Sequence, residues 1–149
     1  MPGFDKILCP VDFDQNSIRA LKLACEVARD RKSMLYLLHV VPLPPGPEVA
    51  LPFGKMESAA RTKLERIARE NVDAKVRYEV DIVLGDPGLE VVQVARRLGA
   101  KLIVMATHGR KGLSHLLLGS VAERVIREAP CPVLTVKPVK PAKKTARAR

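Results

Sequence analysis

The residues best placed to do chemistry lie in one stretch, Ala106-Thr-His-Gly-Arg-Lys-Gly-Leu-Ser-His-Leu-Leu-Leu-Gly-Ser-Val-Ala-Glu123. Its end, Ser120-Val-Ala-Glu123, fits the S-x-x-E capping box, with Ser120 expected at the N-cap of a helix. Gly119 stands just before it. A helix start offers unpaired N–H groups and the positive end of the macrodipole, and a preceding glycine lets an anion come close. At the other end Gly109 removes a side chain, and Arg110 and Lys111 add positive charge. The chemistry implied is a polyphosphate cradle; an ordinary cap and an ordinary loop glycine would leave the same trace. There is no GxxxxGK[ST], so this is not a P-loop, and no GxGxxG follows the first strand.

These residues need a frame to hold them. Lys6–Val11, Met34–Val41, Val76–Ile82, Lys101–Ala106 and Cys131–Val136 read as strands. Four helical patterns alternate with them. The first follows Asp14-Gln-Asn-Ser17 and runs to about Asp30, with Ile18, Leu21, Cys25 and Ala28 as its stripe. The second runs from about Lys55 to Asn71. The third starts with Asp86 as a possible cap and Pro87 at the first helical position, and it stops at Gly99. The fourth starts at Ser120. Strands one, two and four are nearly all apolar, whereas strand three alternates as an edge strand does.

The order βαβαβαβαβ predicts an α/β fold, a doubly wound five-stranded parallel sheet with helices on both faces. Such sheets bind ligands at the carboxyl ends of their strands, at the topological switch point. The first suspects are therefore Pro10 to Asp12, His39 to Val41, and Ala106 to Gly109. Asp12 is either a ligand contact or a cap for the first helix. His39 reads as a satisfied core histidine. His108 reads as a surface or capping histidine, with a phosphate-facing role as the alternative. The proline-rich Pro42–Pro52 segment reads as a rigid connector or a cover over the ligand.

Composition sets the bounds. The 149 residues suit one domain, with 47% hydrophobic and 28% charged residues. No apolar run approaches the roughly 20 residues of a membrane helix, and no leader is evident, so no membrane role and a cytoplasmic location are expected. Cys9, Cys25 and Cys131 show no metal or redox spacing and read as buried thiols of a reducing compartment. Net charge is +10, and residues 137–149 hold six positive and no negative side chains, leaving +4 on the body. The expected organisation is a domain over residues 1–138 and a basic tail over 139–149 that cannot bury a face. The tail could attract polyanions weakly, or simply aid solubility.

At this point the chain resembles the universal stress proteins. Their nucleotide-binding members carry G-x2-G-x9-G-[ST] after strand four, and here that pattern falls on Ala106, Gly109, and Gly119-Ser120. Ile7-Leu-Cys-Pro-Val-Asp-Phe13, Leu38-His-Val40, Met-Ala-Thr-His-Gly-Arg110 and Ala129-Pro-Cys-Pro-Val-Leu134 are also similar to the family. The resemblance spans about residues 3–138. It implies strand order 3-2-1-4-5, ATP with Mg²⁺ as ligand, and a homodimer formed by pairing strand five, Val133 to Val136. It also implies a binding set of Pro10, Val11, Asp12, Val40, Met105, Ala106, His108, Gly109, Arg110, Gly119, Ser120 and Val121. Within that set Asp12 would meet the ribose or adenine side, the Val40 backbone the adenine, and Gly109, Gly119 and Ser120 the phosphates. The departure is Ala106, which stands where the pattern has glycine, so weakened binding is expected. No general base or acidic metal pair is evident for the γ-phosphate, so at most a slow ATPase is expected. The readings carried forward are an ATP-binding stress-response regulator, a dimeric scaffold with a vestigial site, and a weak ATPase.

Overall fold

The computed structural model describes residues 3–43, 53–108 and 118–139. Its elements are β1 (Lys6–Pro10), α1 (Gln15–Arg31), β2 (Met34–Pro42), α2 (Phe53–Asn71) and β3 (Arg77–Gly85), followed by α3 (Pro87–Leu98), β4 (Leu102–Ala106), α4 (Ser120–Glu128) and β5 (Val133–Val136). All strand pairs are parallel, and the order is β3-β2-β1-β4-β5, as expected. The chain reverses its winding between β1 and β4, so the switch point lies where Asp12 follows the end of β1 and Thr107 follows the end of β4.

Period-two alternation along the inner strands divides the core into two layers. Ile7, Cys9, Val11, Leu35, Leu37 and Val104 face α1 and α2. Leu8, Leu38, Val40, Ile103 and Met105 face α3 and α4. Both faces of β1, β2 and β4 are covered, which is why these strands are apolar without interruption. Each large side chain fully buried here contributes about 1.5–3 kcal/mol by leaving water.

Helix ends follow local chemistry. Asp14 caps α1, its carboxylate accepting from the Asn16 N–H at 2.8 Å. Lys32 closes α1 at φ 57°, and Gly99 closes α3 at φ 66°. Asp86 is the N-cap of α3 with Pro87 beside it, but its side chain makes no cap bond. It pairs instead with Arg124 of α4 at 2.8 Å, tying the two helices of that face together.

Some boundaries differ from the sequence reading. β3 runs on to Gly85 because Val83 and Leu84 keep their register with Val40 and Val41 of β2. β5 begins at Val133, since Pro132 has no N–H for the ladder, although its carbonyl still accepts from Ile103 at 3.0 Å. The capping box is corrected too: the N-cap of α4 is Gly119, and Ser120 is the first helical residue. Gly119 is held extended while its carbonyl accepts from the Glu123 N–H at 3.0 Å, so it is the half-in residue. The Glu123 carboxylate goes forward to Arg127 at 2.9 Å, not back to the helix start.

Candidate functional site

The carboxyl ends of the strands gather most of the expected residues. Pro10 ends β1 opposite Leu38, two residues before Val40 on β2, and the N–H of Val11, the next residue, donates to the Leu38 carbonyl at 2.8 Å. On the other side of the switch point Met105 and Ala106 finish β4. Thr107 is the junction: its N–H donates to Val136 of β5 at 3.0 Å, and its carbonyl accepts from the Gly119 N–H at 2.8 Å. That second bond draws Gly119, Ser120 and Val121 to the end of β4. Gly109 and Arg110 lie outside the described residues, as do Lys111 and the prolines from Pro44 to Pro52.

Pinning Gly119 to Thr107 has an electrostatic result. A helix start leaves its first N–H groups without intrahelical partners. The Gly119 N–H is spent on Thr107, and α4 has no side-chain cap. The donors left for an anion are those of Ser120, Val121 and Ala122, backed by the helix dipole. Glycine at 119 is not demanded by the backbone, since φ −62° and ψ 153° suit any residue. What glycine provides there is the missing side chain.

Asp12 is not the cap of α1, which is Asp14, but it supports the turn leading to that cap. Its Oδ1 accepts from the Asp14 N–H at 3.0 Å, which steadies the turn into α1, and its own N–H donates to the buried Ser17 hydroxyl at 3.2 Å. The carboxylate stays half-exposed at the switch point. Val40 and Met105 are buried in the α3/α4 layer, and Val121 packs against it.

The two histidines near the site take different positions. His39 is satisfied, as expected: its Nδ1 donates to the Val11 carbonyl at 2.7 Å, joining β2 to the end of β1. His108 is corrected: it is neither a surface nor a capping residue but 6% exposed. Its Nδ1 lies 3.1 Å from the Thr107 hydroxyl, and its Nε2 is buried without a hydrogen-bond partner among the described residues. A buried polar nitrogen left unpaired is costly, so this one is a feature that asks for a partner.

Phe13 was missed by the sequence reading. It follows Asp12 with φ 70°, a left-handed conformation that an aromatic residue rarely adopts. Its ring stacks on His39 at a 4.1 Å centroid distance, and Lys63 Nζ sits 4.6 Å from the ring centroid. Strain of this kind gathers at functional sites. No periodicity or spacing marks such a residue.

Thiols and metals add nothing to the site. Cys9 is fully buried, and burial pushes its thiol up to about 12. Cys25 is buried and Cys131 half-buried, so the expectation of three buried thiols holds for two. Among the described residues no three His, Cys, Asp or Glu side chains cluster as a metal site. No helix among them is long and apolar enough to cross a membrane.

Comparison with known proteins agrees with this geometry. The sequence model of the universal stress protein family matches residues 3–137. Universal stress protein MJ0531 of Methanocaldococcus jannaschii is 36% identical over 142 residues, covering 90% of this chain and 82% of the relative. The solved structure of MJ0577, from the same organism, superposes with a TM-score of 0.80 at 32% identity, covering 94% of this chain and all of the other. A universal stress protein from Archaeoglobus fulgidus, solved in complex with dAMP, has the same fold at TM-score 0.65 and 23% identity, over 92% of this chain and all of that one.

Proposed function

The chain belongs to the universal stress protein family, and from that premise we propose that it is a stress-response regulator that binds ATP and acts as a homodimer. The observation that carries this reading is the bond between Gly119 and Thr107. It sets the uncapped start of α4 at the end of β4, across the switch point from Asp12. A polyphosphate at that start would take the N–H groups of Ser120, Val121 and Ala122. Asp12 would receive the ribose or adenine side, and the Val40 backbone the base.

His108 adds a polar atom beside this start. The one Thr107 hydroxyl proton goes to the Val136 carbonyl, so the His108 Nδ1–H donates to the Thr107 oxygen and the buried Nε2 would accept from a hydroxyl or a bound water of the ligand. Gly109 and Arg110, which follow directly in sequence, would extend the same cradle. Mg²⁺ would be held chiefly by the phosphates, since the described residues supply no cage for it. The relative solved with dAMP supports an adenine nucleotide as the ligand class. The family likeness, with the fold it brings, supports ATP within that class.

Calorimetric titration with Mg-ATP, alongside a Gly119→Trp variant, tests the reading. Micromolar binding that the variant loses supports the cleft. No binding by the unaltered protein overturns the nucleotide reading and leaves a dimeric scaffold with a vestigial site.

A further inference from the structure

One imidazole holds Asp12 from both sides. Before Asp12, the His39 Nδ1–H donates to the Val11 carbonyl at 2.7 Å. After it, the same ring stacks on Phe13, with centroids 4.1 Å apart and planes inclined by 23°. His39 lies on β2, in register with Ile82 of β3 and one residue before Val40. Val11 is thus bonded to two successive residues of β2, through its N–H to Leu38 at 2.8 Å and through its carbonyl to His39.

The two grips fix different parts of the Asp12 geometry. The Val11 carbonyl and the Asp12 N–H belong to one planar peptide. His39 holds its carbonyl end, and the buried Ser17 hydroxyl accepts from its N–H end at 3.2 Å. That plane cannot rotate without breaking both bonds, and the Asp12 side chain starts from it. Beyond Asp12, Phe13 turns left-handed at φ 70°, a region that favours glycine. The turn brings the Asp14 N–H back to Asp12 Oδ1 at 3.0 Å, the local bond of an Asx turn. The Phe13 ring is kept in place by His39 and by the Lys63 ammonium, 4.6 Å from its centroid.

The carboxylate that results has one oxygen committed. Its Oδ2 has no hydrogen bond among the described residues, and the residue is half-exposed at the switch point. An acceptor fixed in advance rewards a ligand that brings an N–H or O–H to it, because little ordering is left to be done on binding.

We propose that His39 is the positioning residue for Asp12. Its bond to Val11 and its stack on Phe13 aim the free Oδ2 at a donor on the nucleoside, a ribose hydroxyl or the adenine amino group. This rests on the nucleotide reading above and deepens it. His39 does not touch the ligand, and its effect on affinity passes through Asp12.

The test is a double-mutant cycle on the full-length chain, read by calorimetric titration with Mg-ATP. The chains are the unaltered protein, His39→Phe, Asp12→Ala and the double variant. His39→Phe keeps a ring against Phe13 and removes the donor to Val11, and it should weaken binding about fivefold. Asp12→Ala should weaken binding at least as much. Adding His39→Phe to Asp12→Ala should then change affinity by less than about twofold. A second cycle uses His39→Asn, which keeps a donor where Nδ1 stands and removes the ring. It guards against a His39→Phe chain that fails to fold, and its coupling to Asp12 should be smaller, about two- to threefold. Thermal melts on the same samples confirm which chains are folded. A loss that is equal with and without Asp12, in both cycles, overturns the positioning role and makes His39 a support of the cleft as a whole. Unchanged affinity in both His39 variants overturns it as well. Unchanged affinity in Asp12→Ala also overturns it and leaves the phosphate cradle standing. Failure of the unaltered chain to bind overturns the nucleotide reading and the positioning role together.

Discussion

The amide of Gly119 donates to the carbonyl of Thr107 at 2.8 Å, so the two ends of the loop between β4 and α4 are fastened to each other. The position of α4's start is set by this bond and not by a serine cap. Gly119 has ordinary extended angles, so alanine can replace it without backbone strain. Gly119→Ala should cost about 0.5–1 kcal/mol, the usual difference at an N-cap, or roughly 2–4 °C in melting temperature. Its methyl would stand where a phosphate approaches, and nucleotide affinity should fall at least tenfold, on the order of 1.4 kcal/mol. Calorimetry and thermal melts on one sample separate the two effects. Unchanged affinity would mean that the ligand does not use this helix start.

Phe13 gives a prediction with an inverted order. At most positions alanine is better tolerated than glycine. Here φ is 70°, and the left-handed penalty of about 1 kcal/mol falls on every residue except glycine. Both Phe13→Ala and Phe13→Gly lose the stack on His39 and the Lys63 contact. Phe13→Gly should therefore melt roughly 2–4 °C above Phe13→Ala. The opposite order would place the cost of this site in the ring contacts and not in the backbone.

Ala106 stands where the family pattern has glycine. It is half-buried at the end of β4 and is not among the residues with positive φ, so the alanine is unstrained. Only its methyl can matter, and that methyl either borders the ligand or does not. Ala106→Gly should raise nucleotide affinity a few-fold, while the freer strand end loses roughly 0.5–1 kcal/mol of stability. A titration with no gain in affinity would show that the methyl points away from the cleft.

The frame was legible because strands one, two and four are unbroken apolar runs and strand three alternates. Those patterns state which strands are covered on both faces and which lies at an edge. The positions of Asp12, Val40 and Gly119 then follow from topology. Phe13, Thr107 and the burial of His108 were not legible. A left-handed backbone, a junction made by main-chain bonds and an enclosed imidazole each depend on elements distant in sequence. Ser120 was misplaced for the same reason: S-x-x-E is a local signal, and the bond from Gly119 to Thr107 is not.

The buried thiol of Cys9 makes stability depend on alkaline pH. Desolvation raises it from 9.0 to about 12 in the folded chain. Above about pH 9 the unfolded chain releases this proton while the folded chain keeps it. The contribution is therefore whole below pH 9 and is lost progressively as pH rises toward 12. Cys9→Ala should remove that slope, so the two proteins should converge in stability between pH 9 and 11 in parallel denaturant titrations. Parallel curves would mean that the thiol ionises without unfolding. The same burial should keep Cys9 unreactive toward a thiol reagent at pH 8 until the chain opens.

The two edges of the sheet are treated differently. Along β3, Arg61 donates to the Val80 carbonyl at 3.2 Å, and Arg77, Glu79 and Asp81 add charge, both devices that discourage pairing. β5 carries no charged residue, and Leu134 is 39% exposed on it, with Ile126 of α4 46% exposed. An apolar edge next to an apolar helix residue favours a second copy as its cover, which supports the homodimer through Val133 to Val136. Sedimentation equilibrium at micromolar concentration should give a dimer for the unaltered chain and a monomer for Leu134→Lys. Because Leu134 is exposed within one chain, the variant's intrinsic fold should change by no more than about 0.5 kcal/mol. Any larger loss would be the stabilisation that association supplies, and it should grow with protein concentration. A monomeric unaltered chain would remove the dimer and leave the bare β5 edge without a partner.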